Sequence, residues 1–221
     1  RLILRNLLRE NQLMKQVVAK EWSVEDAGYI AGTLVDVPLP EAAIFLDKFL
    51  INNSMPKDKT QLAYQQIARF IPQSQLETTV LKAKASRSDD VERNAQIFQG
   101  MKDGLAQRGG DAKAKLMESW GSEIAESLLK AYPANYDSTT DEVIARQNFA
   151  IQLAGDYQVK STTASLGAFL QEEKVNGDLK ANALKSLLKI STDKSTLNSA
   201  AQILSSEPAS NDLKKRAASI L

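Results

Sequence analysis

The chain contains neither cysteine nor histidine. That absence excludes a disulfide framework, a thiolate nucleophile, an imidazole base and the usual Cys/His zinc site. Charge of one sign is also lacking: 28 basic residues stand against 27 acidic ones, net +1. The plainest electrostatic reason to expect nucleic acid or an anionic membrane is therefore missing. Apolar runs are short, Ala42 to Leu46 among the longest, whereas a membrane-spanning helix needs roughly 20 apolar residues in succession. Aromatic residues make up 6% of the chain. No sustained period-two run of β-branched and aromatic residues occurs, so strands are not expected. At 43% apolar and 25% charged over 221 residues, the composition still allows a substantial core.

What is present is helical periodicity. Ala42, Phe45, Leu46, Phe49 and Leu50 follow the i, i+3, i+4, i+7, i+8 series that places five side chains on one stripe. Ile124, Leu128, Ala131 and Tyr132 repeat it, as do Leu197, Ala200, Ala201 and Leu204, and then Leu213, Ala217, Ile220 and Leu221. Turn-forming clusters separate these stretches: Asn52 to Pro56, Gly109-Gly110-Asp111, Pro133 to Thr140, and Asn176-Gly177-Asp178. Ser23 with Asp26 three residues on reads as a helix N-cap. These signals predict short helices at Leu2 to Leu8, Glu10 to Glu21, Val24 to Leu34, Glu41 to Ile51, Lys57 to Ile71, Gln75 to Lys84 and Asp89 to Gln107. The series continues at Ala112 to Trp120, Ser122 to Tyr132, Asp141 to Tyr157, Ser161 to Glu173, Asp178 to Ile190, Lys194 to Ser205 and Asn211 to Leu221.

One short pattern recurs. Asp90-Val91-Glu92-Arg93-Asn94-Ala95, Asp178-Leu179-Lys180-Ala181-Asn182-Ala183 and Asp212-Leu213-Lys214-Lys215-Arg216-Ala217 share Asp first, an aliphatic residue second, a charge third and Ala sixth. Asp178 and Asp212 stand 34 positions apart, and Asp90 and Asp178 88 apart, separations that suit one and about two helix-pair repeats. Asp58-Lys59-Thr60-Gln61-Leu62-Ala63 keeps the Asp and the Ala. An Asp favours a helix start, the aliphatic residue turns inward, and Ala lets a neighbouring helix come close.

The pattern resembles the second helix of a HEAT-type repeat, most closely at Asp178-Leu179-Lys180 with Ala183, Leu184 and Leu187. It departs from that family in that no Pro follows these Asp residues, Glu92 stands in the basic place, and the first-helix Pro is not evident. The resemblance is strongest over 159–221. It implies an all-α fold of antiparallel helix pairs stacked as an α-solenoid, one helical-repeat domain over 1–221, in which each pair covers its neighbour's apolar face. Apolar faces at Leu2, Ile3, Leu4, Leu7 and Leu8, and at Ala217, Ile220 and Leu221, lead us to expect a polypeptide that continues beyond both ends. The N-terminus does not begin with Met and lacks the pattern of a signal peptide. The chain is also similar in composition and architecture to the HEAT-like spacer of large exported bacterial proteins that join a dehydrogenase-like β-propeller to a c-type cytochrome. That resemblance implies a periplasmic or secreted location.

Chemistry-bearing constellations are weak. Asp89-Asp90, Asp141-Glu142 and Glu172-Glu173 are adjacent pairs, which do not share a helix face. Glu123 and Glu126 do share one, as any solvated pair would. No calcium loop or phosphate-cradling glycine loop occurs, Gly109-Gly110 lacking the following Lys-Ser/Thr. Asn52-Asn53-Ser54 matches the short glycosylation acceptor pattern, which arises often by chance. Lys82, Lys84, Arg87 and Arg93 form a basic cluster interleaved with Asp89, Asp90 and Glu92, and Lys214-Lys215-Arg216 forms a second. HEAT-like DNA glycosylases are about this size and carry Trp and Asp at the lesion; Trp22 and Trp120, with Glu118 and Glu123 nearby, make such an enzyme the rival reading. Tyr29, Tyr64, Tyr132, Tyr136 and Tyr157 are possible partner contacts. The sequence favours a noncatalytic scaffold or protein-interaction segment within a larger protein, whose partner is another protein or a neighbouring domain of the same polypeptide. No catalytic, cofactor-binding or metal-binding residue, no cofactor and no nucleic-acid partner is expected.

Overall fold

The computed structural model describes residues 11–86, 89–109, 114–136 and 140–191, with isolated helical positions at 198, 214, 215 and 218. The described residues form ten α-helices and two short 3-10 turns, with no strand. We number the helices α1 (Asn11–Ala19), α2 (Val24–Leu34), α3 (Pro40–Asn52), α4 (Lys57–Phe70), α5 (Leu76–Ala85), α6 (Val91–Arg108), α7 (Ala114–Ala131), α8 (Asp141–Asp156), α9 (Thr163–Gln171) and α10 (Gly177–Ile190). The expected helices at Leu2 to Leu8, Lys194 to Ser205 and Asn211 to Leu221, the Asp212 copy of the repeat, and Arg87 lie outside the continuously described residues.

Local chemistry sets the helix starts. The Ser23 hydroxyl accepts from the Asp26 amide at 3.1 Å and donates to the Asp26 carboxylate at 2.7 Å, closing a reciprocal cap on α2. Asp90 caps α6 through the Arg93 amide at 3.1 Å, and Thr140 caps α8 through Val143 at 3.3 Å. Asn176, not Asp178, caps α10, accepting from the Leu179 amide at 2.9 Å. Asp178 sits in the first turn, where its charge meets the positive end of the helix dipole. Pro40 begins α3, its missing N–H and fixed φ both suiting the first helical position. Gly109, at φ 71°, ends α6.

One expected boundary is corrected. The helices read as Ala112 to Trp120 and Ser122 to Tyr132 are a single helix, α7, which runs through Gly121. Gly121 does not break the helix because it serves packing. A Cβ at that position would collide with the Tyr157 ring, which lies against the bare backbone.

Backbone contacts divide the chain into two units, Arg1–Met117 and Glu118–Leu221, the division falling within α7. In the first unit, helix contacts join α1 with α3, α2 with α3, α3 with α4 and α4 with α6, with slighter ones between α4 and α5 and between α5 and α6. The most extensive is α4 on α6. Gly100 and Gly104 of α6 face α4 one turn apart: a Cβ on Gly100 would overlap the Gln61 carbonyl and lie 3.0 Å from Tyr64 Cβ. A Cβ on Gly104 would overlap the Gln65 carbonyl and lie 2.7 Å from Ala68 Cβ. Small residues here bring two helix backbones together, and Ala63, Ala68 and Ala95 beside them are fully buried. Arg108, at the end of α6, donates to the carbonyls of Ala68 (3.1 Å) and Ile71 (2.5 Å), which the end of α4 would otherwise leave unpaired.

The second unit is built on α8 against α10, with α9 against α10. Gly155 of α8 meets Ser186 of α10, where an added Cβ would lie 2.8 Å from the serine Cβ. Asn182 donates to Asn148 at 2.7 Å across the same pair. Gln147, with no exposed surface, donates to the Pro133 carbonyl at 2.9 Å, so its buried amide is paired. Trp120, Ile124, Leu128, Ile151, Leu166, Phe169, Leu184 and Leu187 fill the core.

Candidate functional site

A cleft of about 310 Å³ opens in the first unit between α3, α4 and α5. Helical spacing brings its walls together. From α3 come Asp47, Leu50 and Ile51, at i, i+3 and i+4; from α4 come Tyr64 and Ile67, at i and i+3. Thr79, Lys82 and Ala83 share one face of α5, and Ser86 follows at its end. The walls are mostly aliphatic, with three hydroxyls and one ion pair among them. Lys82 Nζ stands 3.4 Å from Asp47 Oδ2 across the mouth, longer than a tight charge-assisted hydrogen bond.

Tyr64 lies at the inner wall, 5% exposed. Its hydroxyl is 3.5 Å from Ser86 Oγ, and Ser86 in turn donates to the Ala83 carbonyl at 2.8 Å. The serine hydrogen is therefore committed, which leaves Tyr64 as donor in a long, weak contact. Burial pushes the phenol above its ordinary pKa, against the lowering influence of the Ser86 contact and the positive charge of Arg93. At neutral pH the hydroxyl keeps its proton.

A second, more polar groove of about 250 Å³ lies between the α2–α3 turn and the outer face of α4, lined by Val35, Asp36, Pro38, Leu62, Gln65, Arg69 and Gln107 among others. Gln66 donates to the Val37 carbonyl beneath it. Arg69 stacks over Phe70, its guanidinium carbon 4.9 Å from the ring centroid.

The residues singled out in the sequence are scattered. Trp120 is 1% exposed and belongs to the second unit's core. Trp22 is half-buried; its indole donates to the Val17 carbonyl at 2.9 Å, and Lys20 Nζ lies 4.1 Å from its ring centroid. Neither Trp faces a described cleft. Of the basic cluster, Lys82 is drawn to Asp47, whereas the Arg93 amide helps cap α6. Lys215 is exposed and Lys214 half-buried. Asp89-Asp90 and Asp141-Glu142 stand at helix starts, Glu126 accepts from Ser161, and Glu172 accepts from the Lys174 amide at 3.4 Å. Among the tyrosines, Tyr29 is 70% exposed, Tyr132 and Tyr136 meet edge to face at 5.3 Å, and Tyr157 packs on Gly121. Tyr64 is the one of the five that lines the cleft. Burial, then the charge of Asp156, pushes the Tyr157 phenol up to about 12.

No group of three or more Asp or Glu side chains suited to a metal occurs among the described residues, and none of their helices is long and apolar enough to cross a membrane. Sequence reasoning missed the cleft, since its walls come from three helices and only their packing joins them. No protein-family model, curated protein or solved structure matches the chain.

Proposed function

We propose that the chain is a HEAT-like α-solenoid segment that acts as a noncatalytic scaffold or protein-interaction surface in a larger polypeptide. The observation that carries this reading is the order of the contacts. In each unit, extensive contacts join helices one or two positions apart in the chain. Single polar links also join alternate helices of the first unit. Asp47 reaches Lys82 from α3 to α5, Lys59 Nζ donates to the Gly32 carbonyl at 2.9 Å from α4 to α2, and α4 lies on α6. Nearest-neighbour stacking of this kind is the organising feature of repeat proteins.

The recurring sequence pattern adds support. Its sixth position is Ala63, Ala95 and Ala183 on α4, α6 and α10, fully buried in each case. The apolar surface left exposed suits a protein partner: Val24 and Tyr29 on α2, Ile51 on α3, Leu62 on α4 and Leu81 on α5.

Two experiments test the reading. A photo-crosslinking amino acid placed at Tyr29 or Leu81 in the full-length polypeptide should join to another protein or to a flanking domain; absence of any crosslink at either position would contradict it. Titration with duplex DNA separates it from the glycosylase reading. Binding that falls steeply with salt, accompanied by base release, would replace the scaffold with an enzyme on nucleic acid.

A further inference from the structure

We propose that the cleft between α3, α4 and α5 is a binding site for a small monocarboxylic acid with an apolar body, its carboxylate held by the Tyr64 hydroxyl and the Lys82 ammonium. The proposal does not depend on the scaffold reading. Three features define the ligand. First, the volume of about 310 Å³ falls at the lower end of small-molecule sites, and Leu50, Ile51 and Ile67 offer it aliphatic walls. Second, the Tyr64 hydroxyl, buried and proton-bearing, has only the 3.5 Å contact to Ser86 to donate to. A carboxylate oxygen in the cleft would replace that weak contact with a charge-assisted one. Third, Lys82 lies one helical turn from Ser86 and lines the same cleft as Tyr64, its half-exposed side chain held to Asp47 by a contact of 3.4 Å.

Asp47 opposes the anion, so the site's charge balance is testable in both directions. Lys82 is shared between Asp47 and the ligand. Removing the carboxylate of Asp47 leaves the ammonium to the ligand alone and lifts a repulsion, whereas removing Lys82 leaves the repulsion unopposed. A residue pair with a purely structural role would not shift affinity in opposite senses.

The test is calorimetric titration of the full chain with decanoate, alongside decan-1-ol as its uncharged counterpart. Decanoate is expected to bind with a Kd below about 1 mM, and the alcohol several-fold more weakly. Lys82→Ala should weaken decanoate roughly fivefold, Tyr64→Phe by a smaller factor, and Asp47→Asn should tighten it. Ile51 is exposed enough to change without harm to folding, so Ile51→Asp, confirmed folded by circular dichroism, should abolish binding. No binding at 1 mM, or binding indifferent to Lys82→Ala and Ile51→Asp, overturns the proposal. So does an N-acetylated tripeptide ending in leucine that binds more tightly than decanoate, since the occupant would then be a protein C-terminus.

Discussion

Replacing the two glycines of α6 by alanine perturbs the closest helix contact in the first unit. In a helix interior, Gly→Ala ordinarily stabilises by about 0.5–1 kcal/mol, because the chain loses less freedom on folding. At Gly100 and Gly104 the added methyl meets backbone carbonyls and, at 3.0 and 2.7 Å, the Cβ atoms of Tyr64 and Ala68. None of these is a flexible side-chain end, so α4 and α6 must move apart. Overpacking of this kind costs about 1–3 kcal/mol per site. Net of the gain in helix propensity, each single variant should lose about 1–2 kcal/mol. The double variant should lose less than the sum, since the first methyl already opens the gap for the second. Gly28 in α2 is the internal control: its added Cβ would meet only Phe49 Cζ, at 4.0 Å, so Gly28→Ala should stabilise. Urea unfolding followed by circular dichroism reads all four proteins. If Gly100→Ala and Gly104→Ala stabilise as Gly28→Ala does, the two backbones do not touch and the account of this pair is wrong.

Arg108→Ala leaves the Ala68 and Ile71 carbonyls without their donor and should cost about 1–3 kcal/mol by denaturant titration; Lys at the same position should recover part of it. Asp90→Ala removes the α6 N-cap and should cost about 1 kcal/mol, with Asn close to wild type. Burial raises the Asp103 carboxyl above its ordinary pKa, despite the Gln61 hydrogen bond and the charge of Lys102. With the folded value above the unfolded one, stability falls as pH rises between them, because the unfolded chain ionises more readily. Asp103→Asn should therefore raise Tm at pH 7, and the advantage should vanish below about pH 3; a gain that persists there would contradict the cause.

The helices were legible in the sequence because their determinants are local. Ser23 with Asp26 marks the start of α2, and the 3.6-residue stripe at Ala42, Phe45, Leu46 and Leu50 is the buried face of α3. Glycines were ambiguous because their meaning depends on a distant partner. Gly121 looks like a helix break, yet it receives the ring of Tyr157 from the end of α8. Gly100 and Gly104 stand four apart in plain view, a spacing that signals close helix approach, but nothing local says which helix approaches. The cap of α10 falls on Asn176, two residues before the repeat's Asp178, which lies inside the first turn and acts there through its charge. The cleft was illegible for a related reason. Asp47, Tyr64 and Lys82 are ordinary surface or core residues on three separate helices, and only their packing gives them a common space.

In helices stacked in chain order, each depends on its near neighbours in the chain. Hydrogen exchange on Met14→Ala tests it most directly within the first unit. Met14 is fully buried in α1, which contacts α3, and its truncation should cost about 2–5 kcal/mol locally. Amide protection should fall most in α1, less in α2 and α3, and least in α6. An equal fall in protection from α1 through α6 would mean one indivisible core and would contradict it.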